Sequence, residues 1–266
     1  MTQFISPMLA SPMPKDSINY SEWAVEEKFD GHRLVVCVHD KGVIAWSRYG
    51  LTRILPPQVR EACLLLPHGI YDGELLVPGD RSYGVTELTK SDKLVYVVFD
   101  IMQTAQYMLT NSTYVQRRLQ LTSIGFADIK SGVQLAESRI AHSKAELTAM
   151  TAEVWARGGE GLILKKLSSV YQSGKRSKEV IKIKAIQSAV LTVVGYRAAK
   201  MGPQSTVVLR DEQGNETTVK TLNNKELARV NKDPQAFIGR KLRIEFQERT
   251  PDGNYRHPRW DRFENE

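Results

Sequence analysis

The sequence contains little cysteine and no long apolar run. Cys37 and Cys63 are its two cysteines in 266 residues, and neither belongs to a CxxC motif or a Cys/His cluster. This argues against structural zinc and against a disulfide framework, and we expect both thiols in the core. No apolar stretch is long enough to cross a bilayer, and the N-terminus has no charged-then-apolar signal pattern. These absences predict a cytoplasmic protein without a membrane partner.

Basic residues outnumber acidic ones. The 37 Lys and Arg residues against 30 Asp and Glu give a net charge of +7 and a pI near 9.3. This balance favours a polyanionic partner, because lysines and arginines neutralise phosphates whatever the nucleotide sequence. The basic residues cluster at 175–178, together with Lys182 and Lys184, and at 240–243. A solvated basic face would give the same pattern. Each cluster is therefore compatible with a polyanion-binding surface and with a solvated face.

The order of predicted elements indicates an α+β chain of two domains. Up to about residue 184, short apolar strands alternate with helices over 54–66, 114–121 and 144–157. From Ala189 onward, β patterns separated by turn residues dominate, with one short helix over 224–230. We therefore predict domains 1–186 and 187–266, the second being a small closed barrel such as an oligonucleotide-binding (OB) fold. The predicted strands cover 23–25, 33–39, 42–46, 70–77, 93–102, 162–166, 180–184, 190–196, 206–209, 216–221 and 241–248.

One lysine has neighbours that suit chemistry. Lys28 lies in the run Val25-Glu-Glu-Lys28-Phe-Asp-Gly-His-Arg33, so a carboxylate, a glycine and an arginine follow it closely. A lysine amine attacks a phosphorus or carbonyl centre only when it is neutral and correctly aimed. The pattern is short, and by itself it fits a charged strand end and turn better than an active site.

Charged and apolar residues alternate in three predicted strands. The pairs that share one face are Lys28 with Asp30, Asp72 with Glu74, and Lys182 with Lys184. A solvated antiparallel sheet gives such alternation without any site. In strands as apolar as these, however, buried charges are costly unless they are paired or bound to a ligand. Together the three strands predict a shared polar groove.

Six short motifs follow one another along nearly the whole chain. They are Lys28-Phe-Asp-Gly-His-Arg33, Ser47-Arg48-Tyr-Gly50, Asp72-Gly-Glu74, Val98-Phe99-Asp100, Glu160-Gly-Leu-Ile-Leu-Lys165 and Ile181-Lys182-Ile-Lys184. In this order they resemble the motifs of ATP-dependent DNA ligases in the covalent nucleotidyltransferase superfamily, specifically the small ligases of bacteria and their phages. Residues 250–258 resemble the end of the ligase barrel domain.

The resemblance implies a fold and a reaction. The fold would be a mixed, largely antiparallel nucleotidyltransferase (adenylation) domain at 1–186 and an OB-fold β-barrel at 187–266. Lys28 would attack the α-phosphorus of ATP, release pyrophosphate and carry AMP on its side-chain nitrogen. AMP would then move to the 5′-phosphate at a nick, where the 3′-hydroxyl would displace it. The implied partner is nicked double-stranded DNA, bound by a monomer in a bacterial or phage-infected cell.

The resemblance also implies roles for individual residues. In catalysis, Asp30, Lys182 and Lys184 would act beside Lys28, because nearby cations neutralise charge on the phosphate oxygens. The implied ATP contacts are Glu26 on the adenine amino group, Phe99 stacked on the purine, Arg33, Arg48 and Glu74 on ribose or phosphate, and Arg176, Lys182 and Lys184 on phosphate. Glu160, with Asp30 and Glu74, would support Mg²⁺, which Mn²⁺ could replace.

Several alternatives stay open in the sequence. Arg256, Arg259 and Arg262 are equal candidates for the residue that orients pyrophosphate, and Tyr171 and Trp260 fit base stacking or the core. The 27 residues before the nucleophile leave no room for a preceding DNA-binding domain, and no four-cysteine zinc site occurs, so ATP is expected rather than NAD. An RNA ligase or an RNA-capping guanylyltransferase is the alternative within the superfamily. A non-catalytic nucleic-acid-binding protein is the alternative from another class.

Overall fold

The computed structural model describes residues 3–14, 18–78, 93–126, 129, 132–184, 187–197, 206–220, 224–250 and 252–264. The chain divides into two compact units, Met1–Ile183 and Lys184–Glu266. The predicted domain boundary follows residue 186, and residues 185 and 186 lie outside the described residues. Within the described ranges, no helix is long and apolar enough to cross a membrane.

Strands outnumber helices throughout the described chain. The strands are β1 (Leu9–Pro12), β2 (Trp23–Glu27), β3 (His32–His39), β4 (Gly42–Ser47), β5 (Thr52–Arg53), β6 (Gly69–Leu76), β7 (Val95–Thr104), β8 (Val133–Leu135), β9 (Ser138–Ile140), β10 (Gly161–Lys166), β11 (Arg176–Lys184), β12 (Gln187–Arg197), β13 (Thr206–Arg210), β14 (Glu216–Lys220), β15 (Lys241–Phe246), β16 (Glu248–Arg249), β17 (Tyr255–Arg256) and β18 (Arg259–Phe263). The helices are α1 (Pro57–Cys63), α2 (Tyr114–Thr122), α3 (Lys144–Ala156) and α4 (Asn224–Lys232).

The first unit contains a six-stranded sheet in the order β5-β4-β3-β6-β7-β8. β3 is rich in β-branched residues and alternates between two buried faces. Leu34 and Val36 face the cluster that includes α1, whereas Val35 and Cys37 face a second apolar cluster. The β3–β4 hairpin turns at Gly42, whose φ of 125° favours glycine.

A five-stranded sheet completes the first unit, in the order β1-β11-β10-β2-β9. Its outer face is covered by α3, where Leu147 and Val154 pack with Val25 and Leu162. Its inner face shares an apolar cluster with the six-stranded sheet, joining Val180 to residues such as Val35. Side chains that follow the inner-face alternation therefore point between the two sheets.

The second unit is a β-rich body with its own core. Its sheet has the order β14-β13-β12-β15-β18, and the outer strands β14 and β18 also contact each other, as strands that close a barrel do. Trp260 is buried in this core against Phe263, with ring centroids 4.8 Å apart, which places it in the core rather than at a base-stacking surface. The two units confirm the α+β class, and the second fits an OB-like barrel.

Three predicted boundaries are wrong for local reasons. The helix predicted over 54–66 is shorter at both ends: it begins at Pro57, because proline is favoured at the first helical position, and it ends at Cys63. The strand predicted over 241–248 ends at Phe246, and β16 pairs with β17 as a separate hairpin. The strand predicted over 180–184 begins earlier, at Arg176.

Gly73 in β6 provides a test of how closely the strands approach each other. A β-carbon at Gly73 would lie 2.5 Å from the Val97 carbonyl oxygen and 2.6 Å from the Tyr96 ring. We expect Gly73→Ala to lower the free energy of unfolding by about 1–3 kcal/mol, because backbone cannot yield as a side chain can. Thermal unfolding monitored by calorimetry would measure the change.

Gly195→Ala is the matched control. Its nearest added contact would be 3.9 Å away, at Val208. The two variants should therefore differ clearly in midpoint temperature, and equal effects would contradict the steric explanation.

Candidate active site

Lys28 is held next to Glu160 by backbone and side chain together. The Lys28 N–H donates to the Gly161 carbonyl at 2.8 Å, which fixes the end of β2 against the start of β10. The Lys28 ammonium forms an ion pair with the Glu160 carboxylate. Their side chains are 22% and 10% exposed, so the pair lies in a partly closed site. The structure thus brings together two motif residues that are 132 positions apart in sequence.

Arg33 is fixed in orientation by a buried carboxylate. Its guanidinium donates to both oxygens of Asp72, at 2.9 and 2.6 Å, and the Tyr171 hydroxyl also donates to Asp72, at 2.5 Å. Burial alone would lower the pKa of Arg33, but the ion pair with Asp72 outweighs it and raises the pKa above its usual value. Tyr171 is buried, so the structure decides for a core position over base stacking.

A second network of buried ion pairs includes residues from two of the motifs, Asp100 and Lys165. The Lys165 ammonium is 2.9 Å from Glu26 and 3.7 Å from Asp100. Arg117, which has no exposed side-chain surface, donates to both oxygens of Asp100 at 2.7 and 3.1 Å. Burial favours a higher pKa for Asp100, but Arg117 and Lys165 together hold it below its usual value. Two carboxylates and two cations therefore balance in a site that excludes water.

The same network contacts Phe99 and Glu26 directly. Lys165 donates to the Phe99 carbonyl at 2.7 Å and lies 4.8 Å from the centre of its ring. The Arg33 guanidinium carbon is 5.3 Å from the same ring centre, so two cations lie near this ring. Tyr114 donates its hydroxyl to Glu26. The two residues expected to hold adenine are thus oriented by buried neighbours.

The sequence indicated some of this network and missed the rest. Lys165 ends a recognised motif and shares the inner face of β10 with Ile163. These two features could have indicated that Lys165 points between the sheets. Arg117 and Tyr114 lie on α2, in no motif, and nothing in their local sequence marks them as partners of Asp100 and Glu26.

Glu74 lies close enough to the Lys28 cluster to share its electrostatics. Burial raises the pKa of Glu74 to about 7, Arg33 and Lys28 oppose the rise, and the carboxylates of Asp72 and Glu160 add to it. Burial, more than the charged neighbours, therefore makes the ionised Glu74 carboxylate unfavourable. A bound cation or a proton would relieve this cost.

The carboxylates fit a metal ion that arrives with its nucleotide. Among the described residues, no three His, Cys, Asp or Glu side chains group closely enough to hold a metal alone. Mg²⁺ usually takes one or two carboxylates and completes its shell with water and phosphate oxygens. Glu160 and Glu74 are carboxylates of that kind, and both lie beside Lys28.

A cavity of about 230 Å³ opens beside Lys28. Its lining includes Phe29, Asp30, Arg157 and Glu160. Arg157 forms an ion pair with Glu27 at 2.7 Å across the loop that carries Glu160. Asp30 therefore lines the same cavity as Lys28 and Glu160.

The remaining predicted residues lie on the turn after β4 and on β11. Arg48 is exposed in the turn after β4, with its guanidinium 4.8 Å from the Tyr49 ring centre. Arg176 is exposed at the start of β11 and donates to the Ala10 carbonyl. Lys182 is half-buried on β11, opposite Pro12 of β1. Lys184 ends the same strand and is the first residue of the second unit.

Two sheets around a groove that carries a lysine, carboxylates and arginines are the framework of a covalent nucleotidyltransferase. The family model for the ATP dependent DNA ligase domain matches residues 7–184. The chain belongs to this family.

Two curated relatives illustrate the similarity in sequence. A DNA ligase of Thermococcus fumicolans is 27% identical over 215 residues, which are 72% of this chain and 38% of the relative. A DNA ligase of Methanothrix thermoacetophila is 31% identical over 197 residues, 65% of this chain and 34% of the relative. The chain therefore spans little more than a third of the length of these relatives.

A solved structure matches the fold over almost the full chain. It belongs to the Lig E DNA ligases, described as binding DNA with a minimal scaffold, and superposes with a TM-score of 0.80. The match covers 98% of this chain and 100% of that one at 21% identity. At that identity, the likeness speaks for the fold.

The raised pKa of Glu74 predicts a pH-dependent stability. Between its usual value of 4.5 and about 7, the folded protein binds the Glu74 proton more tightly than the unfolded chain does. The resulting penalty is absent at low pH, grows as pH rises and is complete above pH 7. We therefore compare the free energies of unfolding of Glu74→Gln and wild type at two pH values. Between pH 5 and pH 8.5, the difference should shift in favour of the variant by about 1–3 kcal/mol.

The measurement is chemical denaturation of metal-free and nucleotide-free protein at both pH values. Glu61→Gln, at an exposed position of α1, is the control and should show no comparable gain. A difference between Glu74→Gln and wild type that is constant over this range would contradict the assignment.

Replacing Lys165 should cause a large loss of stability, which a second substitution should partly reverse. Lys165→Met leaves Glu26 and Asp100 with one cation between them, which should cost about 3–5 kcal/mol. Adding Glu26→Gln removes the excess charge and should restore part of the loss. Urea unfolding would measure both variants, with Lys166→Met as control because Lys166 is more exposed and lies 3.9 Å from Glu22. Equal effects of Lys165→Met and Lys166→Met would rule out this account of the network.

Proposed function

We propose that this chain is an ATP-dependent DNA ligase that seals nicks in duplex DNA. The observation that carries the proposal is the pairing of Lys28 with Glu160 in a groove that also holds Arg33 and Glu74. This arrangement provides a nucleophile, a carboxylate beside it and a fixed phosphate-binding guanidinium. The family membership supports the reaction class, and the alternatives of RNA ligase, capping enzyme or non-catalytic binding protein have no observation in their favour.

In the first step, Lys28 gives up a proton and its nitrogen lone pair attacks the α-phosphorus of ATP. A phosphoramidate (P–N) bond forms while the bond between the α-phosphorus and the oxygen bridging to the β-phosphorus breaks, and pyrophosphate leaves with that electron pair. Glu160 contacts the ammonium and is the group placed to receive its proton. Bound Mg²⁺, held by Glu160 and Glu74, would supply neutralising charge for the phosphate oxygens.

The base and sugar are positioned by the groove's fixed residues. Phe99 offers an aromatic face for the purine, and Glu26 is an acceptor-only group suited to the adenine amino group. Arg33, aligned by Asp72, presents its remaining donors to phosphate or ribose. Arg48 is assigned to ribose or phosphate, and Arg176, Lys182 and Lys184 are assigned to phosphate.

The later steps exchange one phosphorus linkage for another in the same groove. The 5′-phosphate at the nick attacks lysyl-AMP and frees Lys28, forming a DNA-adenylate. The 3′-hydroxyl then attacks the 5′-phosphate, a phosphodiester forms, and AMP leaves. Because each reaction is an in-line displacement at phosphorus, cations that stabilise one transition state can stabilise all three. We infer that the chain acts as a monomer.

The first test is covalent labelling with α-labelled ATP and Mg²⁺. Wild type should form an AMP adduct, and Lys28→Ala should form none because the nucleophile is gone. Glu160→Gln keeps the shape of the side chain but cannot take the proton, so adduct formation should slow by about 10²–10⁴-fold. Lys166→Ala, in the neighbouring strand, should label like wild type.

The second test is sealing of a nicked duplex by the labelled protein. DNA with ATP should be sealed, whereas nicked RNA and GTP should not be used. Absence of any adduct in wild type would overturn the enzyme assignment, and labelling of Lys28→Ala would overturn the nucleophile alone.

A further inference from the structure

An ion pair ties the loop that carries Glu160 to the strand that leads to Lys28. Arg157 directly follows α3, and its guanidinium donates to the Glu27 carboxylate at 2.7 Å. Glu27 is the last residue of β2 and immediately precedes Lys28. The pair therefore joins the two chain segments that meet at the proposed nucleophile, although its partners are 130 positions apart in sequence.

The loop between this ion pair and β10 is rich in glycine. Residues 158, 159 and 161 are glycines, and they leave the backbone on both sides of Glu160 more conformational freedom than other residues do. Gly161 has a φ of 148°, and its carbonyl accepts the Lys28 N–H at 2.8 Å. The position of the Glu160 carboxylate therefore depends on how the ends of a short, pliable loop are anchored.

Glu27 lies directly against this loop. A β-carbon at Gly159 would be 3.0 Å from a Glu27 carboxylate oxygen, so the carboxylate packs on the backbone one residue before Glu160. The same carboxylate accepts from Arg157, which precedes the loop. Glu27 thus contacts both the first part of the loop and the arginine that begins it.

Arg157 has a second carboxylate partner, which lies within α3. Its guanidinium donates to Glu153 at 3.1 Å, one helical turn earlier, and Glu153 also accepts from Arg139 of β9 at 3.2 Å. Of the two carboxylates bound to Arg157, Glu27 is the one on the strand that leads to the nucleophile. Removing either carboxylate takes one partner from the same arginine, which provides a matched comparison.

The Arg157–Glu27 pair suits a role in geometry better than a role in folding stability. Its side chains are 47% and 27% exposed, and ion pairs in contact with water stabilise a fold only weakly. Displacing a reacting group by about 1 Å can, by contrast, slow a reaction about 10²-fold. Loss of the pair should therefore affect the reaction and the loop more than it affects unfolding.

We propose that Arg157 is a positioning residue that holds Glu160 in contact with Lys28 by anchoring the glycine loop to Glu27. The guanidinium fixes the start of the loop to β2, and the Glu160 carboxylate is thereby kept beside the ammonium that it deprotonates. The inference rests on the proposed function, because it gives Arg157 a part in the adenylation step. Arg157 acts through the loop and not by contact with the nucleotide.

A double-mutant cycle of Arg157→Gln and Glu27→Gln tests the proposal, with the rate of AMP-adduct formation at saturating ATP as the readout. Each single variant should slow this rate by about 10–100-fold and leave the half-saturating ATP concentration within about twofold of wild type, because the nucleotide contacts remain. The double variant should be no slower than the slower single variant, since both substitutions break the same ion pair. Glu153→Gln is the control and should stay within about twofold of wild type.

Amide hydrogen exchange gives a second readout that needs no nucleotide. The Lys28 amide donates to Gly161, so its protection factor reports how firmly the loop is anchored. This factor should fall at least about fivefold in Arg157→Gln and in Glu27→Gln, and it should be unchanged in Glu153→Gln. The midpoint temperature of unfolding should fall by no more than about 4 °C in each variant, because the pair is partly exposed.

Additive slowing in the double variant would overturn the inference, because Arg157 and Glu27 would then act on the reaction separately. Equal slowing by Glu153→Gln, or an unchanged protection factor of the Lys28 amide in Arg157→Gln, would overturn it as well. If wild type forms no adduct, the proposed reaction fails, whereas the exchange measurement still tests the anchoring of the loop.

Discussion

The balance of buried charge between the two sheets is the constraint on which the first unit depends. Lys165 from one sheet lies between Glu26 and Asp100, and Arg117 closes the other side of Asp100. An unpaired ion at such a depth costs several kcal/mol, so each of these groups needs its partners in place. Because the partners come from different sheets and from α2, the pairing fixes how these elements meet. The geometry of the groove next to the network is therefore fixed as well.

The groove combines rigid orientation with an unbalanced charge. Arg33 has little freedom, because its guanidinium donates two hydrogen bonds to Asp72, which also accepts one from Tyr171. Close to Lys28, by contrast, burial raises the pKa of Glu74 to about 7, against the opposing effects of Arg33 and Lys28, so its carboxylate is costly to keep ionised without a further cation. Such a site favours a ligand that brings a cation and accepts hydrogen bonds. A nucleotide with its metal ion has both properties, which agrees with membership of the ATP-dependent DNA ligase family.

Sequence patterns predicted the long elements well and the short ones poorly. β3, β6 and α3 were placed within two residues of their observed ends, since their periodic apolar residues make a strong local signal. Short strands such as β1 and β8 were not predicted. Each of these pairs in parallel with a strand distant in sequence, so most of its stability comes from the partner and little from its own three or four residues.

The sequence by itself determined the order of motifs, the α+β class and which charged side chains share a strand face, because successive side chains of a strand alternate between its two faces. It also marked Lys28, Glu160 and Lys165 as parts of one series. Only the tertiary structure decided which of them touch: Glu160 pairs with Lys28, and the buried Lys165 pairs with Glu26. These contacts join positions more than a hundred residues apart, and their strength depends on burial, which a local pattern of residues does not contain.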